Sequence, residues 1–274
     1  MSVHVQNSRI TTSTIRQMAA SGDKITMLTS YDFTLASLVD EAGIDMFLVG
    51  DSASNVVCGN ATTLPITLDE MIFLTKGVVR AAKHALVVCD MPFGSYQVSE
   101  EQAVASAIRV LKESGCDAVK LEGGASVLPA VRHMISAGVP VMGHIGLTPQ
   151  SIHQFGGYGL RAKEEAEAEQ LVADAVELAK AGSFSIVMEK IPAALAKRVT
   201  EAVAPYHCAT IGIGAGNGTH GQVLVLHDML GLNMGFKPKF LRHFAELGET
   251  VKSAVGDYIA AVKDGSFPNE NESF

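Results

Sequence analysis

The sequence predicts a single-domain α/β protein, a (β/α)₈ TIM barrel with a capping helix at its N-terminus. Three observations predict this fold: eight short apolar runs, helical patterns between most of them, and a length of 274 residues. One such barrel commonly takes about 250 residues, so the domain is expected to cover residues 1–274. With 47% hydrophobic residues, the chain can bury a large core.

The eight apolar runs are rich in β-branched residues and stay uncharged until their last positions. This pattern is typical of parallel strands covered by helices on both faces. An open doubly wound sheet is the competing architecture, because the link between the seventh and eighth runs is too short for a full helix. In chain order the runs are 24–30, 46–51, 85–90, 118–123, 139–146, 184–190, 209–216 and 221–228.

Helical periodicity occupies most of the stretches between the runs. In the first stretch Leu35, Leu38 and Val39 recur at the spacing of one helical turn, and Gly43 follows as a stop signal. Two longer stretches open with acidic residues and close with lysine and glycine, which complements the helix dipole. The three predicted helices cover 34–43, 100–115 and 164–182.

Helices are also predicted at both ends of the chain. Segment 11–22 places Ile15, Met18 and Ala19 on one face, which could close the bottom of the barrel. Segment 239–265 is predicted to form terminal helices.

Composition and charge restrict the classes of partner. The formal net charge is -8 and no run is rich in lysine or arginine, which argues against nucleic acid or an anionic membrane. A small molecule is therefore the expected partner. No stretch approaches 18 uninterrupted apolar residues and the first residues lack an apolar signal segment, so a cytoplasmic protein is expected. The cysteines are widely spaced and are predicted to be reduced structural thiols: Cys58, Cys89, Cys116 and Cys208.

Charged residues gather at the ends of five consecutive predicted strands. In the fourth strand Lys120 and Glu122 share one face, while Val119 and Leu121 share the other. The carboxyl ends of parallel strands converge on the ligand site in such folds, and five charged ends together favour a site over isolated structural ions. The converging residues are Asp51, Asp90, Lys120, Glu122, His144 and Glu189.

The acidic members of this group predict a divalent metal. Asp51, Asp90 and Glu122 would repel one another in one cavity, and Lys120 offsets only one of the three charges. Oxygen ligands without cysteine or clustered histidine suit Mg²⁺. An α-keto acid can chelate such an ion, which then stabilises an enolate as a Lewis acid. In this hypothesis Asp90 serves the metal and the keto acid together.

Enolate formation also needs a base, and Glu189 is the candidate because it lies on a later strand than the metal acids. The alternative is an ion pair of Glu189 with Lys190 or Arg198. Two further residues each have two alternative roles. His144 could donate to substrate or hold a neighbouring carbonyl, and Ser52 could bind a carboxylate or cap the next helix.

Motifs along almost the whole chain resemble one enzyme family, the 3-methyl-2-oxobutanoate (ketopantoate) hydroxymethyltransferases. They run in order from about residue 9 to residue 274, and several are long enough to be specific. They read MLTSYD, LVGDS, TLPITLDEM, DMPFGSYQ, VKLEGG, PVMGHIGLTPQS, GGYG, IGIGAG, GQVLVLHDMLGL, GFKPKF and GSFPNENESF.

The resemblance implies a fold, a reaction and roles for residues. It implies a barrel of the phosphoenolpyruvate/pyruvate type, a homodecamer, and Mg²⁺ bound around Asp51 and Asp90 with Glu122 nearby. It places Ser52 and Lys120 on the keto acid, while Glu189 is the base. The family deprotonates 3-methyl-2-oxobutanoate at C3 and adds the enolate to the one-carbon unit of 5,10-methylenetetrahydrofolate, giving 2-dehydropantoate for pantothenate and coenzyme A synthesis.

The chain departs from the family pattern at four places, none of which removes a proposed ligand or the base. They put the loops around the pocket in question, and with them substrate choice. The departures are Ala53–Asn55, Ala61, Gly159–Lys163 and His220.

Two other functions are alternatives to this one. A Mg²⁺-dependent carbon-carbon lyase or mutase of the isocitrate lyase and phosphoenolpyruvate mutase type would act on another α-keto acid. Such enzymes generally carry a catalytic cysteine loop or a denser acidic cluster, and neither is found in the sequence. An inactive barrel serving as a scaffold is the third possibility, against which the intact acidic and basic residues argue.

Overall fold

The structure is a computed structural model that describes residues 9–274, and it contains a closed barrel of eight parallel strands. The strands follow one another in chain order, and the last pairs with the first. This confirms the predicted (β/α)₈ barrel and excludes the open sheet. The strands are β1 (Ile25–Thr29), β2 (Met46–Val49), β3 (Leu86–Asp90), β4 (Ala118–Glu122), β5 (Val141–Gly146), β6 (Ser185–Glu189), β7 (Ala209–Ile213) and β8 (Gly221–Leu224).

Helices separate most of the strands, and the predicted helices 34–43, 100–115 and 164–182 are found to within two residues at each end. The helices are α1 (Thr12–Ser21), α2 (Phe33–Glu41), α3 (Ala53–Val56), α4 (Leu68–Ala81), α5 (Glu100–Ser114), α6 (Leu128–Ser136), α7 (Ile152–Phe155), α8 (Glu165–Ala181), α9 (Ala193–Val203), α10 (Leu226–Met229) and α11 (Leu247–Asp264).

Local sequence sets many of the helix ends. Before α4, Thr67 and Glu70 form a capping box in which each side chain accepts the backbone N–H of the other residue. Gly115 and Gly182 end α5 and α8 with φ of 79° and 106°, a left-handed conformation that glycine adopts without a Cβ penalty. These signals explain why the helix bounds are readable from sequence.

The short link between β7 and β8, residues 214–220, contains no helix, yet the barrel still closes. Gly221 pairs with Ile211 of β7 on one side and with Ile25 of β1 on the other. A Cβ on Gly221 would lie 2.4 Å from the carbonyl oxygen of Ile25, so the close approach of these strands requires glycine.

Two apolar layers stabilise the barrel. One lies between the strands and the surrounding helices, and the other fills the interior of the barrel. The predicted outward residues of β4, Val119 and Leu121, lie in the first layer. Ile15 of α1 is fully buried in the interior layer, with Met18 and Ala19 packed against it. This confirms the N-terminal capping helix.

The substitution Ile15→Ala should lower the free energy of unfolding by about 2–5 kcal/mol, because it leaves a cavity at the closed end of the barrel. Urea denaturation measures the change. Ile108→Ala is the matched control, since Ile108 on α5 is 39% exposed and its truncation should cost less than about 1 kcal/mol. Equal losses in both variants would contradict the capping role of α1.

The described residues group into two compact units, the first ending at Leu224 and the second covering Val225–Phe274. The prediction of one domain over residues 1–274 stays a prediction. In the second unit, the terminal helices predicted over 239–265 are wrong in part, because only α11 is an α-helix there. The chain before α11 instead forms backbone hydrogen bonds with the segment around α10, from Phe244 N–H to Met229 and from Leu247 N–H to Leu230. Those tertiary bonds replace the helical ones.

No helix within residues 9–274 is both long and apolar enough to cross a membrane. The four cysteines are free thiols, as predicted, but Cys58 is exposed and is therefore not a core residue. The other three are buried, and burial raises the pKa of Cys116 to about 11 and that of Cys208 to about 12.

Candidate active site

The carboxyl ends of five neighbouring strands bring the predicted charged residues together at one mouth of the barrel. The strand register sets Asp90 beside Lys120, and Glu122 beside His144. Two positions after His144, Gly146 is paired with Glu189. Asp51 lies two residues after the end of β2. The convergence that the strand pattern predicted is therefore confirmed as a spatial arrangement.

Lys120 forms the central ion pair of the site. Its Nζ lies 2.8 Å from Asp90 Oδ1 and 3.8 Å from Glu122 Oε1, and all three side chains are at most 3% exposed. Burial lowers the pKa of Lys120, but the surrounding carboxylates raise it by more, so the ammonium stays charged. A permanent buried cation is thus available to an anionic ligand.

Asp51 and Asp90 are adjacent, and both are buried. The backbone N–H of Asp51 donates to Asp90 Oδ2 at 3.2 Å. Burial raises the pKa of both carboxyl groups, and for Asp51 the nearby charges of Asp90 and Glu122 raise it further. Lys120 compensates only part of this negative charge, so the cluster is one that an additional cation would stabilise.

His144 connects the carboxylates of two strands. Its Nδ1 lies 3.2 Å from Glu122 Oε1 and 3.1 Å from Lys120 Nζ, and its Nε2 lies 3.4 Å from Glu189 Oε2. Burial and Lys120 lower the pKa of His144, but the two glutamates outweigh them and raise it to about 9. Both ring nitrogens therefore lie within ion-pair distance of a glutamate, which differs from the carbonyl contact considered from sequence.

Glu189 ends β6 with a side chain that is 17% exposed, against at most 4% for His144, Lys120, Asp90 and Glu122. The ion pairs considered as an alternative for Glu189 do not form. Lys190 donates to the backbone carbonyl of Tyr158, and Arg198 pairs with Glu165 and Glu169 on α8. The carboxylate therefore faces the mouth of the barrel, where it can meet a ligand.

Ser52 lies beside Asp51 at the start of α3, but its side chain makes no capping hydrogen bond there. Its hydroxyl is instead 2.8 Å from the hydroxyl of Tyr31. The capping alternative is excluded, and the hydroxyl is held close to the carboxylate cluster.

The sequence reasoning missed Gln150 and Tyr96, which are both buried within the site. The side-chain amide of Gln150 donates to Asp51 Oδ2 at 2.9 Å, and Tyr96 donates to Gln150 Oε1 at 2.6 Å. Both lie in loops, several residues beyond the ends of β3 and β5. A search extended from the strand ends into the polar loop residues GSYQ and GLTPQS would have found them.

The donor set fits Mg²⁺ at two carboxylates rather than three. Within residues 9–274 no group of three or more His, Cys, Asp or Glu side chains is arranged to hold a metal ion. Glu122 is engaged elsewhere, with Oε2 accepting the backbone N–H of Gln150 at 2.9 Å. Asp51 and Asp90 remain as a buried pair of oxygen ligands, and Mg²⁺ commonly binds through one or two carboxylates with water and substrate oxygens.

The departures from the family pattern lie at both ends of the barrel. Ala53–Asn55 belong to α3, which begins two residues after Asp51, and Gly159–Lys163 belong to the loop before α8. His220 lies at the opposite end, where its Nδ1 accepts the backbone N–H of Thr210 at 3.0 Å. Ala61 lies in an exposed loop. Of these departures only His220 lies away from the mouth, because the other three lie between the carboxyl end of a strand and the next long helix.

Comparison with known proteins identifies a closely similar group of sequences. A family model described as ketopantoate hydroxymethyltransferase matches residues 9–270. The 3-methyl-2-oxobutanoate hydroxymethyltransferase of Flavobacterium johnsoniae is 55% identical over 97% of this chain and 97% of its own. The enzyme of the same description from Bacteroides fragilis is 56% identical over 97% of this chain and 96% of its own.

Solved structures with a similar fold have far lower sequence identity. One is 2,3-dimethylmalate lyase, described as a PEP mutase/isocitrate lyase superfamily member, with a TM-score of 0.57, 16% identity and coverage of 96% of this chain and 91% of that chain. Another is phosphonopyruvate hydrolase in complex with oxalate and Mg²⁺, with a TM-score of 0.55, 10% identity and coverage of 96% and 93%. The likeness confirms the predicted (β/α)₈ barrel fold.

Proposed function

This chain belongs to the ketopantoate hydroxymethyltransferase family, and on that premise we propose which of its residues perform the reaction. The reaction is hydroxymethyl transfer to 3-methyl-2-oxobutanoate, giving 2-dehydropantoate for pantothenate biosynthesis. The observation that carries the proposal is the convergence of Asp51, Asp90, Lys120 and Glu189 at one mouth of the barrel.

Asp51 and Asp90 would hold Mg²⁺, with Glu122 adding negative charge beside them. When bound, the ion supplies Lewis-acid polarisation of the substrate's keto group, which stabilises the enolate by several kcal/mol. The raised pKa values of the two aspartates support this assignment, because a cation favours their ionised forms. The complex of phosphonopyruvate hydrolase with oxalate and Mg²⁺ is an example of a diacid and this metal on the same type of barrel.

Lys120, Ser52 and His144 would bind and orient the keto acid. The Lys120 ammonium is charged, buried and 2.8 Å from Asp90, so an anionic oxygen near that aspartate gains a strong counter-charge. The Ser52 hydroxyl, beside Asp51, can donate to a carboxylate oxygen. His144 keeps the carboxylates of Glu122 and Glu189 in fixed directions. Asp90 meets both the metal and the substrate.

Glu189 would remove the proton from C3 of the keto acid. Its carboxylate is the most exposed to the mouth among the acids that contact His144 and Lys120, and its direction is held by the His144 ring at 3.4 Å. A base must reach the proton that it abstracts, which a fully enclosed carboxylate would not. The enolate carbon then needs an electrophilic one-carbon unit.

We assign that one-carbon unit to 5,10-methylenetetrahydrofolate as the co-substrate. C3 forms a bond to the methylene carbon, the bonds from that carbon to the folate nitrogens break, and one water supplies the hydroxyl oxygen of the product. Tetrahydrofolate leaves with a hydrogen on each of the two nitrogens, one proton coming from C3 through Glu189 and the other from that water.

We further propose that the chain works as a cytoplasmic homodecamer, as the family resemblance implies. A row of apolar side chains on one face of α11 supports self-association, because each is at least 45% exposed within one protomer. The row consists of Val251, Val255, Tyr258, Ile259 and Val262.

Direct assay tests the proposed function. Purified protein supplied with 3-methyl-2-oxobutanoate, 5,10-methylenetetrahydrofolate and Mg²⁺ should form 2-dehydropantoate, detected by mass spectrometry, and chelation of the metal should abolish the product. A folded protein that makes no product would contradict the proposal. Cleavage of 2,3-dimethylmalate in the same buffer would then favour the lyase alternative, which the structural likeness supports only at 16% identity.

A further inference from the structure

Gln150 occupies a place in the site to which the proposed chemistry gives no role. It lies in a short 3-10 turn, Pro149–Ser151, just after β5, and is 5% exposed. Its side-chain Nε2 donates to Asp51 Oδ2 at 2.9 Å and to the backbone carbonyl of Met91 at 3.0 Å. Its Oε1 accepts from the Tyr96 hydroxyl at 2.6 Å.

These contacts fix the orientation of the amide. Both partners of Nε2, a carboxylate and a carbonyl, can only accept, so the nitrogen must face them. The Tyr96 hydroxyl donates to Oε1, and it accepts the backbone N–H of Glu122 at 3.2 Å. A flipped amide would place an oxygen against Asp51 and a nitrogen against a donor. Only one orientation of the amide satisfies all of these hydrogen bonds.

The same residue also holds a second carboxylate. The backbone N–H of Gln150 donates to Glu122 Oε2 at 2.9 Å. Gln150 alone, in the turn that follows β5, therefore binds an acid that follows β2 and an acid that ends β4. Because those acids come from different strands, no local structure would otherwise set their positions relative to each other.

A neutral amide suits this task better than a charged side chain. A lysine or arginine at position 150 would cancel the negative charge that attracts a divalent ion, and an aspartate or glutamate would add repulsion. The amide donates hydrogen bonds to carboxylates without changing the net charge of the cluster. With Oδ2 of Asp51 engaged, the carboxylate can offer Oδ1 to a cation.

We propose that Gln150 is a positioning residue that holds the carboxylates of Asp51 and Glu122 in place before the metal and the substrate bind. Tyr96 orients Gln150 and so acts one step further out. This inference rests on the proposed function, because its main consequence is the affinity of Asp51 and Asp90 for Mg²⁺. A residue that only satisfied the Met91 carbonyl would affect stability without affecting the cation.

The test is calorimetric titration of Mg²⁺ alone into the metal-free protein, repeated with Mn²⁺ and electron paramagnetic resonance. The substitution Gln150→Leu keeps the approximate size of the side chain and removes both N–H groups of the side-chain amide. The backbone N–H that binds Glu122 remains. It should weaken cation binding by about 10- to 100-fold, as loss of groups that orient metal ligands usually does. Tyr96→Phe should weaken it less, by roughly threefold, because the amide remains but is no longer held.

Gln170→Leu is the matched control. Gln170 also donates an amide hydrogen to a carboxylate, Asp174 Oδ1 at 2.8 Å, but on the exposed surface of α8. Its removal should leave cation affinity within about twofold of the unsubstituted protein. Unchanged affinity in Gln150→Leu would overturn the proposal, and if that variant fails to fold, unchanged affinity in Tyr96→Phe would do so.

Steady-state kinetics add a readout that a purely structural role would not move. Excess Mg²⁺ should restore kcat of Gln150→Leu toward the original value, because the defect lies in cation affinity. Lost activity that excess metal does not restore would count against the proposal.

Asp51→Asn, titrated alongside, separates this inference from the proposed function. If the unsubstituted protein and Asp51→Asn bind Mg²⁺ equally, the metal assignment itself is wrong. If Asp51→Asn loses the ion and Gln150→Leu does not, the assignment of Asp51 to the metal is supported and the proposed role of Gln150 is wrong.

Discussion

Replacing Glu189 with glutamine is expected to slow exchange of the C3 hydrogen of 3-methyl-2-oxobutanoate with D₂O by about 10²- to 10⁴-fold. The amide cannot take up the proton, while its oxygen can occupy the place of Glu189 Oε2, which lies 3.4 Å from His144 Nε2. Proton NMR of the keto acid, incubated with the protein and Mg²⁺ in D₂O, measures the rate without any folate. Only the proton transfer step is observed.

Binding measurements keep this result specific to the base. Calorimetry should give Mg²⁺ and keto acid affinities for Glu189→Gln within a few-fold of the original, because the carboxylate is assigned neither to the metal nor to the keto group. Glu201→Gln is the matched control, since Glu201 is an exposed residue on α9, 3.9 Å from Lys197. Exchange that continues unchanged in Glu189→Gln would remove this residue as the base.

Replacing Asp90 with asparagine should weaken Mg²⁺ and keto acid binding together, and lower kcat/KM by at least about a hundredfold. Asp90 is 1% exposed, adjacent to Asp51 and 2.8 Å from Lys120 Nζ. The substitution removes a charge that the metal needs and leaves Lys120 with a weaker partner. Metal, substrate and the buried cation therefore all lose the same contact.

The coupling between the two ligands is the decisive measurement. Keto acid is titrated at several Mg²⁺ concentrations, and in the original protein its affinity should rise with the metal. Asp69→Asn, at an exposed aspartate paired with Arg109, should behave like the original protein. Thermal melting separates loss of fold from loss of ligand. Keto acid affinity that does not depend on Mg²⁺ would contradict joint binding at Asp90.

The barrel was predictable because its signals are local and repeat. Each strand is a short apolar run, and the predicted runs all contain the observed strands. Helix ends carry their own signals, such as the capping box at Thr67 and the left-handed Gly115. Segment 239–246 is predicted from sequence to be helical, but its backbone bonds to the α10 segment instead of forming a helix. That choice depends on residues distant in sequence.

The positions of the charged residues were predictable from the same kind of local signal. Strand alternation places Lys120 and Glu122 on one face, and closure of the barrel brings their strand next to those of Asp90 and His144. Sequence therefore indicated which charges meet, and it predicted a cation among them. It did not indicate that Glu122 faces His144 and Gln150, because side-chain partners across strands depend on distances of a few tenths of an ångström.

By itself the sequence determined the number of strands, the capping helix and the set of charged strand ends, since each follows from periodicities of a few residues. Only the tertiary structure decided which side-chain oxygens of the site form hydrogen bonds, and with which partners. Gln150 binds Asp51 across 99 positions of the chain, and Ser52 meets Tyr31 across 21. Loop residues carry no periodic pattern, so their partners are set only when the closed barrel brings the loops together at one mouth.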